Sequence, residues 1–287
     1  MNPYVIIVDS ACDLTPETLE AWDVKRCDLT FRFDGEETVY SNYELTPADF
    51  YQRMREGRVA KTAAANSEVF RELFEAEVKQ GNDVLYLGFS SGLSATFNCA
   101  RMAAAELEEA YPDRCVCAVD TLSASAGYGL LIALAVKEKE KGATLAEVAQ
   151  FVEETRAHMC HWFTVDDLVY LKRGGRVSPA VALLGGVLGI KPVLHMDDEG
   201  HLVSRAKVRG RKSAIKALAD RYGELAVDRA GAIYISHGDC AEDAALLASM
   251  LNEEYGVAVE MTVNIGPVIG AHSGPGTLAL FFLGKER

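Results

Sequence analysis

Short apolar runs alternate with amphipathic stretches through the first half of the chain. Residues 4–8, Tyr-Val-Ile-Ile-Val, are apolar without interruption and stop at Asp9, the pattern of a strand buried on both faces. Residues 84–87 repeat it, and 115–119 repeat it again before Asp120. Residues 24–33 read as a further extended segment. Between these runs stand helix starts with a physical cause. Thr15-Pro16-Glu17 and Thr46-Pro47-Ala48-Asp49 each set a capping hydroxyl before a proline in the first helical position. Asn66-Ser67-Glu68 opens a helix to about Lys79, 94–110 and 124–141 are helical, and Thr144-Leu145-Ala146-Glu147 is a capping box. Strands alternating with helices predict parallel pairing in an α/β layer architecture.

The texture changes near residue 160. Residues 162–165, 191–196 and 201–208 read as strands, and Asp197-Asp198-Glu199-Gly200 is a hairpin turn that makes the last two antiparallel. Extended segments at 230–236 and 257–264 alternate with helices at 213–222 and 241–255. The expectation is two units, 1–160 and 161–287, the second with a mixed or antiparallel sheet and helices.

Composition narrows the function classes. The 287 residues are 49% hydrophobic, ample for a packed core. A net charge of −13 argues against nucleic acid or an anionic membrane surface as the main partner. The longest apolar stretches, 127–136 and 180–190, are too short to span a bilayer. Seven cysteines without framework spacing suit a reducing cytoplasm. His158, Cys160 and His161 lack the spaced second pair that a zinc site needs, so no metal is expected.

Four segments bear chemistry. In the first, residues 88–97, Gly-Phe-Ser-Ser-Gly-Leu-Ser-Ala-Thr-Phe, join a strand to a helix. Serine hydroxyls, free backbone N–H groups and the positive end of a helix converge there on an anion or oxyanion. The same residues fit the Gly-x-Ser-x-Gly elbow of α/β-hydrolases, with Asp120 and His237 or His272 later in the chain. A serine esterase using Ser90, Asp120 and His272 is therefore the rival reading. Against it, few strands precede the elbow and no His-Gly-Gly segment offers an oxyanion hole.

In the second segment, residues 61–67, a small-residue loop exposes Thr62 just before a helix; capping by Asn66 accounts for Asn66 but not for Thr62. The third, residues 170–179, places Lys172, Arg173 and Arg176 around Gly174-Gly175, a setting for fork-like recognition of phosphate or carboxylate. The fourth, residues 264–276, surrounds His272 with glycines and prolines that fix the backbone. Asp9-Ser10-Ala11-Cys12-Asp13 reads as a turn and cap cluster.

Taken in order, these segments resemble the DegV family of bacterial fatty-acid-binding proteins over the whole chain. The family's D-S-x-x-D-L is matched by Asp9, Ser10, Asp13 and Leu14, and its S-S-x-L-S-G-T-Y by residues 90–97. Its T-S-Q-P-S aligns with 62–66, its K-G-G-R with 173–176, and its I-G-P-V-I-G-x-H-x-G-P-G with 265–276. The resemblance implies a two-domain fold: a three-layer α/β/α domain with a parallel sheet, and a smaller domain of mixed sheet and helices. It implies a long-chain fatty acid, such as palmitate, buried between them with its carboxylate on Thr62 and Ser94. It further implies a non-catalytic carrier without cofactor that presents the carboxylate to an ATP-dependent fatty acid kinase for phospholipid metabolism. Ser91, Arg173, Arg176 and His272 become candidates for further ligand contacts or for coupling to that kinase. The chain departs from the pattern at Ala63-Ala64-Ala65 and at Ala95, which removes polar support beside Thr62. An apolar tail of sixteen carbons is worth on the order of 10 kcal/mol before ordering costs, and 127–136 and 180–190 are candidate tunnel walls.

Overall fold

The computed structural model describes residues 2–178 and 189–287. Most of the expected wall at 180–190 thus lies outside the described residues.

The first layer set is built on β1 (Tyr4–Asp9), α1 (Pro16–Ala21), β2 (Val24–Cys27), β3 (Thr30–Phe33), β4 (Tyr40–Ser41), α2 (Pro47–Arg55), β5 (Ala60–Ala63), α3 (Ser67–Lys79), β6 (Asp83–Gly88), α4 (Thr96–Ala110), β7 (Val116–Asp120), α5 (Ser125–Glu140) and α6 (Leu145–Thr155). Strands β2-β1-β6-β7 form an all-parallel sheet. Its two faces are visible in the alternation of β1 and β6. Ile6, Val8, Leu85 and Leu87 pack toward α5 and α6, while Ile7, Val84 and Tyr86 pack toward α3 and α4. Both faces are covered, which is why these strands read as continuous apolar runs. The caps act as expected: Thr15, Thr46 and Asn66 accept from the helix start, and Thr144 with Glu147 forms the reciprocal box.

The extended segment 24–33 is two strands rather than one. β2 joins the parallel sheet, and β3 turns away into a three-stranded sheet, β4-β3-β5. Ser10 Oγ accepts from Leu29 N at 2.9 Å and fixes the break. Phe31, Phe33, Phe50 and Tyr51 make this small sheet and α2 an aromatic cluster.

The second unit comprises β8 (Met159–Thr164), α7 (Val169–Gly174), β9 (Ile190–Met196), β10 (Leu202–Arg209), α8 (Arg211–Leu225), β11 (Tyr234–His237), α9 (Ala241–Tyr255), β12 (Met261–Asn264), α10 (Pro267–Ser273) and β13 (Leu278–Leu283). Its sheet runs β10-β9-β8-β13-β11-β12 and is antiparallel except for β11 with β12. The 197–200 turn closes the β9–β10 hairpin, with Gly200 at φ +77°. β13, which pairs with both β8 and β11, is not among the strands expected from the pattern; its apolar run directly follows the glycine-rich segment. That segment is no irregular turn: Gly266, Pro267 and Gly274 bound a seven-residue helix, α10.

Helix α5 lies between the two large sheets. Ile132 and Tyr128 face the parallel one, and Ala126, Leu130 and Leu131 face the mixed one. A helix covered on both sides is apolar all round, as 126–136 is. The far side of the mixed sheet is closed by α8 and α9 through Ile215, Leu218, Leu247 and Leu251.

Candidate functional site

A cavity of about 240 Å³ opens where α5, the mixed sheet, the three-stranded sheet and the 89–96 loop meet. Its body is apolar: Leu29, Phe89, Phe163, Met196, Val268 and Phe281 line it. One polar group stands at Thr62, Ser94, Arg176 and His272. Thr62 is on β5, and its Oγ1 is 2.8 Å from His272 Nε2 on α10. Ser94 precedes α4, whose N-cap position is Ala95 and has no side-chain cap. Ser94 Oγ takes over by accepting from Thr96 N at 3.2 Å and pairing with Thr96 Oγ1 at 2.9 Å.

Of the two roles offered for Arg176, ligand contact or coupling to a partner, its position in the cavity lining agrees with the first. Its Nε donates to Leu93 O at 3.1 Å and one terminal nitrogen donates to Gly174 O. These bonds hold the fork and leave its other terminal nitrogen without a partner among the described residues. Burial holds its pKa below the ordinary value. His272 is pushed down to about 4, by burial first and by Arg176 second, so its ring is neutral near pH 7. A neutral imidazole and two hydroxyls can each donate to one carboxylate without a second fixed charge.

The remaining candidates are placed elsewhere. Arg173 is exposed, with its guanidinium 5.7 Å from the centre of the Tyr170 ring. Ser91 is exposed, and its backbone N–H donates to the Asp120 carboxylate at 3.3 Å. Neither lines the cavity. The hydrolase residues do not meet. Ser90 is fully buried and its Oγ donates to Gly200 O at 3.0 Å, Asp120 accepts from backbone N–H groups of Ser91 and Leu122, and His272 is bonded to Thr62. His237 accepts from Cys240 N and is outside the lining.

A second polar patch in the cavity escaped the sequence reading. Ser125, Ser236, Ser273 and His161 also line it. Ser125 Oγ donates to Asp13 Oδ2 and lies 2.9 Å from Ser236 Oγ, so the patch ties the two large sheets together. Asp13 also accepts from Gly266 N at 2.9 Å, and burial pushes its carboxyl up to about 7. Asp9 is a second buried tie, accepting from Phe89 N at 2.9 Å and Tyr86 O–H at 2.7 Å. The aspartates of the opening motif therefore fix the loops around the cavity and do more than cap a turn. The left-handed φ of Ser125, +53°, follows from that tie and has no signature in the residue type. Strand alternation separates His161, in the cavity, from Cys160, in the core under α8. Among the described residues no cluster of three or more His, Cys, Asp or Glu could hold a metal ion.

The family model described as "Uncharacterised protein, DegV family" matches residues 3–285. The chain belongs to the DegV family. A DegV domain-containing protein of Clostridium perfringens is 44% identical over 289 residues, covering 100% of this chain and 99% of its own. Among solved structures, a stearic acid-binding protein from Eubacterium ventriosum superposes with a TM-score of 0.88 at 29% identity, covering 98% of both chains. A DegV family protein from Thermus thermophilus, described by its fatty acid binding, gives 0.88 at 30% identity, covering 98% of this chain and 99% of its own. The DegV fold is thus the fold of this chain, and these DegV neighbours bind fatty acids. No helix among the described residues is long and apolar enough to cross a membrane.

Proposed function

We propose that this protein binds one long-chain fatty acid in the cavity between its two large sheets. The carboxylate is held by Thr62 and Ser94, with His272 and Arg176 completing the group. The observation that carries the reading is a polar cluster, tied by the Thr62–His272 bond, in a mostly apolar cavity whose second polar patch is engaged through Ser125 with Asp13 and Ser236, the division that a fatty acid presents. A carboxylate taken out of water needs several donors, and the alkyl chain needs none.

The protein acts as a carrier without chemistry of its own. It presents the bound carboxyl group to an ATP-dependent fatty acid kinase, which forms the acyl phosphate, in the reducing cytoplasm that suits its seven free thiols. Arg173, exposed beside the 174–176 turn, is positioned to meet an acidic partner surface rather than the lipid. Support for this hand-off is the resemblance together with Arg173, which forms no ion pair among the described residues, near the polar side of the cavity.

Native mass spectrometry of protein purified from a bacterial host tests the lipid reading. One fatty acid per chain is expected, identified after denaturing extraction. A protein that stays empty after incubation with free fatty acid would count against it. The hand-off is tested by supplying a fatty acid kinase and ATP to loaded protein. Acyl-phosphate formation should fall in Arg173→Ala while lipid occupancy is unchanged; loss of occupancy would return Arg173 to the binding site.

A further inference from the structure

The mixed sheet separates the lipid cavity from a second one. Side chains alternate along a strand, so His161 and Phe163 of β8 enter the lipid cavity while Trp162 leaves on the other face. Met196 and His195 of β9 divide in the same way. On that outer face lies a cleft of about 390 Å³ whose lining includes Trp162, His195, Arg205, Arg221 and Arg287.

The cleft gathers positive charge in a chain whose net charge is −13. Trp162 and His195 stack with ring centres 4.5 Å apart, and the Arg221 guanidinium lies 4.8 Å from the centre of the Trp162 ring. The indole is therefore already engaged by its neighbours, and the cleft offers its guanidinium groups. Arg287 donates to the carbonyls of Arg156 and Leu122, yet among the described residues its buried Nε has no partner. His195 Nδ1 is likewise unpartnered. Arg287 is 8% exposed and His195 is 1% exposed, so water has little access to either. Arg205 is exposed on β10 and makes no hydrogen bond or ion pair among the described residues. Two exposed acids, Asp198 and Glu286, also line the cleft, and neither forms an ion pair with these arginines. Buried nitrogens without acceptors are costly. An anion with several oxygens satisfies them together and meets the guanidinium groups of Arg205 and Arg287 at once, while Arg221 is ion-paired with Glu224 at 2.6 Å.

We propose that this cleft is a binding site for a phosphate group, either a free phosphate or phosphate monoester, or a phosphorylated lipid headgroup. The proposal is independent of the fatty acid reading, since the site lies across the sheet from the lipid cavity.

Trp162 is one of two tryptophans in the chain, the other being Trp22. In a Trp22→Phe background, tryptophan fluorescence reports on the cleft alone. Inorganic phosphate and glycerol 3-phosphate are titrated against chloride at matched ionic strength, and vesicles containing phosphatidic acid are titrated against neutral vesicles. A saturable change with the soluble phosphates assigns a small metabolite, and one seen only with phosphatidic acid assigns a headgroup. Either should weaken at least about tenfold in Arg205→Gln, which removes a charge-assisted partner. Lys79→Gln, on α3 and outside the cleft, should leave binding unchanged. The proposal is overturned if chloride and phosphate act alike in the soluble arm and both vesicle types act alike, or if Arg205→Gln titrates like its parent.

Discussion

Gly174→Ala isolates the role of His272 without touching it. Gly174 is the last residue of α7, followed by Gly175 in the left-handed region at φ +71°. A β-carbon at 174 would meet His272 Nδ1 at 2.3 Å. That is at least about 1 Å inside ordinary contact, and a displacement of this size exceeds what a 2.8 Å hydrogen bond tolerates. The ring must leave the position in which Nε2 bonds Thr62 Oγ1. Helix propensity opposes the clash, since alanine is favoured over glycine by up to about 1 kcal/mol. The fold should therefore change little in stability while the polar end of the cavity is disturbed. A hydrogen bond to a charged group contributes roughly 1.5–3 kcal/mol, so fatty acid affinity should fall by about tenfold or more. The assay is calorimetric titration of delipidated protein with palmitate, run as a double-mutant cycle with His272→Ala. In the His272→Ala background the added methyl has no ring to meet, and Gly174→Ala should be neutral in affinity and neutral or slightly favourable in melting temperature. Equal losses in both backgrounds would refute the reasoning and detach His272 from the carboxylate.

Thr62→Val and Ser94→Ala should each weaken palmitate binding by roughly 1–3 kcal/mol, read in the same titration; unchanged affinity in both would move the carboxylate elsewhere. Ser90, fully buried and bonded to Gly200 O, should stay unlabelled by a fluorophosphonate probe, and covalent labelling that depends on His272 would revive the esterase. Stability should vary with pH in two opposed ways. Asp13, at about 7 against 3.8, keeps in the folded state a proton that the unfolded chain releases, so it makes stability fall as pH rises between these values and has no further effect above them. His272 and His195, at about 4 against 6.5, make stability rise with pH across that lower window. Asp13→Asn removes the Asp13 part of that fall, to which buried Asp9 also adds, so its melting temperature relative to the parent should climb from about pH 4.5 to 7.5; a relative decline would contradict the buried Asp13.

The sequence made the layers legible and left the cavity floor hidden, for physical reasons. Caps and continuous apolar strands are local, so Thr46-Pro47, Thr144 with Glu147, and residues 4–8 and 84–87 announce their elements. Thr62, Ser94, Arg176 and His272 stood out through unusual residues on loops, and folding brings these four together from four separate elements. What stayed hidden depends on distant partners. Nothing local sends 30–33 into a different sheet from 24–27; the hydroxyl of Ser10 decides it. The sequence leaves open whether Arg176 meets ligand or partner; the bonds to Leu93 O and Gly174 O that hold it in the cavity lining come from the fold. Ser125 and Ser236 become a patch only because the parallel and mixed sheets close on α5.

That shared helix sets how the molecule can be divided. Ala126, Leu130 and Leu131 belong to the mixed sheet as much as Tyr128 and Ile132 belong to the parallel one. A cut near residue 160 would strip half of the helix bare and leave the other fragment with an open sheet face. We infer that neither fragment folds alone, and the intact chain should melt as one cooperative unit. Chimeras between relatives must accordingly exchange one side of α5 together with the second half of the chain, so the working border runs lengthwise along a helix and not across a linker.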